Sequence, residues 1–189
     1  PTTVKWPRQH GTSGWSGHTC TRRCARWAWI ADGAAVDRAT IHDVDDIHAL
    51  VNFWAARGDM LPRTKGETYE NLRDFFVLRE GGILRACGAL HIVWSDIAEL
   101  KSLAVAEDAQ SRGYGVEIVR ACIDEGRQLG LDRLFALSYR PEFFERLGFA
   151  QADVMELPRK VWNECYRCPK FPGCNEIALT LDLAVSGAS

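Results

Sequence analysis

The run Gln110-Ser111-Arg112-Gly113-Tyr114-Gly115 sets two glycines into what reads as a strand-to-helix turn. Before it, Glu99 to Val105 has the composition of a β-strand. After it, Val116, Ile118, Val119, Cys122, Ile123 and Leu129 recur at roughly helical spacing. Glycines there let the backbone approach a ligand, and the first amides of the helix point into the turn with the positive dipole end behind them. Such a turn suits a phosphate or pyrophosphate, although a helix entry that merely needs φ > 0 would use the same residues. No Gly-Lys-Ser/Thr follows, which excludes a Walker loop. Ile118 stands where the dinucleotide fingerprint needs a third glycine.

The seven cysteines are the other chemistry-bearing set. Cys165, Cys168 and Cys174 form Cys-x-x-Cys-x5-Cys, which could bind zinc with a fourth ligand such as Cys20, Cys24 or a histidine. No second Cys-x-x-Cys pair completes the pattern, so reduced, packed thiols are expected and no metal. Cys87 and Cys122 fall on strand and helix patterns as small buried hydrophobes.

The elements that must position these residues belong to a chain of 189 residues with 47% apolar content, enough to fill one real core. A net charge of −2 gives no reason to expect nucleic acid or a membrane surface. No apolar run approaches the roughly 18 residues of a membrane span, and no secretory h-region is visible. A cytoplasmic protein is expected. Residues 1–33 carry Trp6, Trp15, Trp27 and Trp29 among glycines and serines and read as a peripheral or partly disordered tail; residues 34–189 read as one domain. Within it, Ala35 to Thr40 reads as a strand. Ile47, Leu50, Val51 and Trp54 mark a helix face between an N-cap at Asp43 and a stop at Gly58. Glu67 to Arg73 reads as a short helix with Tyr69 and Leu72 on one side. Phe75 to Leu78 and Ile83 to Val93 read as strands joined by Glu80-Gly81-Gly82. Ile97 to Val105, the buried run Leu134 to Leu137, the region from Gly148-Phe149 and Ile177 to Leu183 complete the strands, with Pro141 opening a helix. The order is β-α-α-β-β-β-α-β-α-β-β, an α/β mixed sheet with helices on both sides.

The turn at Gln110 to Gly115 resembles the Gln/Arg-x-x-Gly-x-Gly/Ala turn of the GNAT superfamily of acyl-CoA-dependent N-acetyltransferases. The likeness runs from about Ala35 to Leu183 and includes Phe143-Phe144-Glu145-Arg146-Leu147-Gly148-Phe149. Two segments narrow it. Met60-Leu61-Pro62-Arg63-Thr64 with Tyr69 to Phe75 resembles a loop and helix of N-acetylglutamate synthases. Leu157-Pro158-Arg159-Lys160-Val161-Trp162-Asn163-Glu164-Cys165-Tyr166-Arg167-Cys168-Pro169 is similar to the C-terminal signature of their short bacterial form, which lacks an amino-acid-kinase domain.

That resemblance implies acetyl-CoA as co-substrate and L-glutamate as acceptor, with a homodimer as the assembly it allows. Backbone of Leu103 and Val105 would pair with the pantetheine arm along an open strand edge. Gln110 and the amides of Ser111, Arg112, Gly113, Tyr114, Gly115 and Val116 would hold the pyrophosphate. Arg63 and Arg140 would grip carboxylates, with Lys65 and Lys101 as weaker candidates. Ser102 would offer backbone groups, and Glu99 would be the general base. Many GNAT enzymes carry a tyrosine where Phe144 stands, so the thiolate would draw its proton from Tyr139 or Ser138, or leave without a dedicated acid. Two alternatives stay open: a GNAT enzyme for another amine, and a non-catalytic acyl-CoA-binding module.

Overall fold

In chain order the elements are β1 (Ala35–Arg38), α1 (Val44–Ala55), α2 (Lys65–Glu70), β2 (Phe75–Glu80), β3 (Ile83–Ile92), β4 (Ile97–Val105), α3 (Tyr114–Gln128), β5 (Arg133–Ser138), α4 (Pro141–Glu145), β6 (Ala150–Ala152) and β7 (Ile177–Asp182). They come from a computed structural model that describes residues 34–157, 166 and 173–183. The expected N-terminal tail lies outside the described residues, as do Cys20, Cys24, Cys165 and Cys168. The element order is the one expected, and it builds a seven-stranded mixed sheet, β1-β2-β3-β4-β5-β7-β6.

Strand alternation gives this sheet two apolar faces, and one helix layer covers each. On one face α1 lays Ile47, Val51 and Trp54 against Phe75, Val77, Cys87, Ala89 and Ala104. On the other, α3 lays Ile118, Val119 and Cys122 against Phe76, Leu78, Ala86, Leu90, Leu100 and Leu134. Each fully buried large side chain contributes about 1.5–3 kcal/mol, so these two stripes outweigh any helix propensity. Burial pushes the Cys87 thiol up to about 12 and raises that of Cys122 as well. Both are inert packing groups, as expected.

Several boundaries differ from the sequence reading, each for a local reason. β1 stops at Arg38 because Thr40 turns the chain: its amide and hydroxyl donate to Asp43 at 2.7 and 2.8 Å. Asp43 therefore spends its carboxylate backwards, on Thr40 and Arg79, and does not cap α1 with its side chain. α2 begins at Lys65, earlier than Glu67, because Thr64 and Glu67 form a capping box, with Glu67 N donating to Thr64 Oγ1 at 3.1 Å and Thr64 N to Glu67 Oε2 at 2.7 Å. It ends at Glu70, and Leu72–Asp74 forms a separate 3₁₀ turn. Tyr69 is exposed, and only Leu72 of the expected pair packs on the core. β2 runs on to Glu80, since the two-residue turn Gly81–Gly82 takes both φ values positive and lets Glu80 pair with Ile83. β3 ends at Ile92 and β7 at Asp182, one residue short of expectation in each case.

Candidate active site

β4 and β5 are parallel neighbours, yet only Ile97–Glu99 pair with Arg133–Phe135. Beyond those residues β4 continues to Val105 and β5 to Ser138, so the two strands part and leave a wedge. A cleft of about 720 Å³ opens there. Its floor is the β4 run from Glu99 to Val105, and its far wall is the stretch Leu137 to Arg140.

A bulge shapes the floor. Cys87 pairs with Ala104 and Ala89 with Lys101, so Gly88 alone faces both Ser102 and Leu103. The extra residue reverses the alternation: Ala98 and Leu100 face α3 before it, Leu103 and Val105 after it. A Cβ on Gly88 would lie 2.6 Å from Ile118 Cγ2 and 3.3 Å from Leu103 Cδ1, so only glycine fits. Ser102 adopts φ 53° at the bulge, and its carbonyl accepts a weak bond from Cys87 Sγ at 3.8 Å. Lone glycine inside a strand pattern is the signal that could have exposed this feature.

The glycine turn closes one end. Gly113 is the N-cap of α3 with φ 83°, and the space where its Cβ would sit is open. The opening amides of α3 have no intrahelical partner by construction of a helix, so the turn offers donors, positive dipole and room for an anionic group. Glu117 in the first turn and Arg127 in the last agree with that dipole. Ser111, at φ 65°, is the second non-glycine residue with positive φ among those described, and both serines line the cleft.

Gln110, Ser111, Gly113, Tyr114, Gly115 and Val116 line the cleft as do Leu103 and Val105. Arg112 does not. Its guanidinium turns outward to Glu80, at 3.0 and 3.2 Å, because that carboxylate also receives the Tyr114 hydroxyl at 3.0 Å and Arg85 Nε at 3.2 Å. The Tyr114 hydroxyl, followed by Arg85 and Arg112, holds the Glu80 carboxyl below its usual range. This network, missed in the sequence, ties the turn to the β2–β3 hairpin. The Val105 carbonyl accepts from Trp54 Nε1 at 2.9 Å, which uses one of its two lone pairs. Trp54 thus anchors α1 to the cleft floor and lines the cleft itself.

Glu99 is 4% exposed and faces the cleft. Lys101 shares that face, with Nζ 3.9 Å from Glu99 Oε2. Arg63 reaches the cleft from the α1–α2 loop, where Asn52 clamps its backbone: Asn52 Nδ2 donates to Arg63 O at 2.8 Å and Arg63 N to Asn52 Oδ1 at 3.2 Å. Arg140 lies at the turn after β5, its amide held by Ser138 Oγ at 3.0 Å. Arg146, Asp59, Glu142 and Glu176 add further charges to the lining. Lys65, by contrast, pairs with Asp45 at 2.5 Å and is not among the lining residues. Phe144 is 5% exposed and packed edge-on against Phe143 and Phe149, so it has no proton to give. Among the described residues no group of three or more His, Cys, Asp or Glu is placed to hold a metal, and no helix is long and apolar enough to cross a membrane.

The acetyltransferase (GNAT) family matches residues 41–149, more than half of the chain. The chain belongs to that family. It is an acetyltransferase of the GNAT type. An uncharacterized N-acetyltransferase of Chlorobaculum tepidum is 33% identical over 163 residues, 85% of this chain and 96% of that one. An amino-acid acetyltransferase of Mycobacterium tuberculosis is 33% identical over 135 residues, 70% of this chain and 77% of the relative. Among solved structures, the N-acetylglutamate synthase of Neisseria gonorrhoeae, complexed with coenzyme A and N-acetyl-glutamate, superposes with a TM-score of 0.70 at 30% identity. That match covers 79% of this chain and 35% of the longer Neisseria one. The GNAT acetyltransferase described here therefore has the fold that its sequence resembles, with the glycine turn, the splayed strands and the charged lining in one cleft.

Proposed function

We propose that this acetyltransferase moves the acetyl group of acetyl-CoA to the α-amine of L-glutamate, giving N-acetylglutamate, the first step of arginine biosynthesis. The observation that carries the reading is the cleft whose lining holds Glu99, Lys101, Arg63 and Arg140 beside an open strand edge. The names of the Mycobacterium and Neisseria relatives support it.

Acetyl-CoA supplies a thioester carbonyl that an amine can attack directly, without an acetyl-enzyme. Gly113 and the neighbouring amides at the head of α3 hold the pyrophosphate, with Gln110 at the entry to the turn. Leu103 and Val105 present the β4 backbone edge to the pantetheine arm. Arg63 and Arg140 fork onto carboxylates, and Asn52 keeps the loop carrying Arg63 in place. Ser102, at the bulge, offers its backbone to the acceptor. Glutamate arrives as an ammonium ion and is nucleophilic only once that proton is gone. Glu99 takes it. The departing thiolate, with a pKa of about 8.5, receives its proton from Ser138 or Tyr139 or leaves unassisted.

Asp59, Glu142 and Glu176 in the same lining favour a second reading, an amine with one carboxylate or none. A free-CoA release assay over the twenty amino acids and common polyamines decides. Fastest turnover with glutamate is expected. A polyamine as best acceptor would replace the substrate, and CoA binding with no turnover on any amine would remove the catalytic reading.

A further inference from the structure

The two charges on the cleft floor form a pair whose geometry has a consequence for acceptor choice. Glu99 and Lys101 are two residues apart on β4, so their side chains share one face. Both line the cleft, and their side chains are only 5% and 12% exposed. Nζ and Oε2 stand 3.9 Å apart, close enough to attract but beyond the 2.7–3.2 Å or so of a hydrogen bond. In a free α-amino acid, the ammonium nitrogen and the nearer carboxylate oxygen are about 3 Å apart by standard bond lengths. An amino-acid zwitterion laid against the pair therefore meets it charge for charge: ammonium on Glu99, carboxylate on Lys101.

We propose that Glu99 and Lys101 together recognise the α-ammonium and α-carboxylate of a free amino acid, with Lys101 as the residue that demands the α-carboxylate. This rests on the reading above that an amino acid is the acceptor and Glu99 receives its amine. It changes the division of labour there, leaving Arg63 and Arg140 for the side-chain end of the substrate. It also excludes acceptors by chemistry. A polyamine or a peptide N-terminus brings an amine but no adjacent carboxylate, so Lys101 would face a neutral group in a site that water reaches poorly.

The test compares L-glutamate with its α-carboxamide as acceptors, in the wild type, Lys101→Gln and Lys101→Arg. The wild type is expected to favour glutamate by on the order of 10-fold or more in kcat/KM, the worth of one charged hydrogen bond. Lys101→Gln should raise the KM for glutamate by a similar factor and leave the α-amide nearly unchanged, abolishing the preference. Lys101→Arg should restore part of it, which a merely structural lysine would not require. Equal losses on both acceptors, or no loss on either, overturn the proposal. If the CoA-release assay selects another amino acid, the same comparison is made with that amino acid and its α-amide. Glutamate can then fail while the paired charges stand. A best acceptor that has no α-carboxylate overturns the pairing outright.

Discussion

Glu99 and Arg63 reach the same cleft by different routes, one from a strand in the sheet and one from a loop that a single asparagine clamps. Proton removal is a property of one residue and can be tested at that scale. Glu99→Gln keeps the shape and cannot accept a proton, so kcat near neutral pH should fall by about 10²–10⁴. Part of the loss should return at higher pH, where more amine is already free, and acetyl-CoA affinity should hold. A normal rate with an unshifted pH profile would assign the proton to water or another group. Arg63→Ala and Arg140→Ala should each raise the glutamate KM on the order of 10-fold, with little change for acetyl-CoA. Unchanged KM values in both would withdraw the carboxylate forks. That Glu99, Arg63 and Arg140 line one cleft was legible through motif resemblance. The positive φ of Ser102 and Ser111 was not legible. Serine takes that conformation only where surrounding packing imposes it, and no local pattern announces such packing. The ion pair of the Arg112 side chain with Glu80, 32 residues away, was illegible for the same reason.

At the scale of elements, the cleft exists because β4 outruns its pairing with β5, and its floor is bent by one bulge opposite Gly88. The order of strands and helices was readable, because each element carries its own period and its own turn residues. The divergence was not, because it is a relation between strands, and the bulge left only the lone Gly88 as its mark in the sequence. Gly88→Ala drives a methyl group against Ile118, which is held rigidly at its β-carbon. A destabilisation of about 1–3 kcal/mol is expected for such overpacking, lowering Tm by roughly 2–4 °C for each kcal/mol in a chain of this size. Activity should fall more than stability explains, because Ser102 and Leu103 would shift with the bulge; full activity in a folded Gly88→Ala enzyme would show that the bulge geometry is dispensable. The turn before α3 has its own test. Gly113→Val meets no neighbour, but a β-branched residue at φ 83° is strained. The turn must then reshape, and calorimetry should show acetyl-CoA binding severely weakened in a protein that still folds. Unchanged affinity would move the pyrophosphate elsewhere.

Across the whole molecule, the two helix layers are held to the sheet by apolar burial, and ion pairs tie strands β1 and β2 to what flanks them. Arg38 of β1 pairs with Glu125 of α3, while Arg79 of β2 pairs with Asp43 at the entry to α1. Asp43 is the informative member, being 5% exposed. Burial works against its charge, yet the bond from Arg79 and the two from Thr40 outweigh that cost and lower its pKa from the ordinary 3.8. Glu80 is lowered from 4.5 as well, chiefly by the Tyr114 hydroxyl. For a carboxylate whose folded pKa is depressed, the unfolded chain binds the proton first as pH falls. Its stabilisation is thus fully present above the unfolded value and drains away as pH descends through the folded one. Thermal melts from pH 7 to pH 3 should therefore show no loss from these two groups until about pH 4.5, then a decline. Asp43→Asn isolates one of them, because it preserves the shape and removes the charge that Arg79 requires. Its Tm should lie below wild type at neutral pH and follow a shallower acid limb. The gap between the two curves should narrow as pH falls below 3.8, because the unfolded chain binds the Asp43 proton before the folded one does. Parallel curves, with a constant gap down to pH 3, would mean that Asp43 contributes through its hydrogen-bonding shape alone and that its charge does not hold β1, β2 and α1 together.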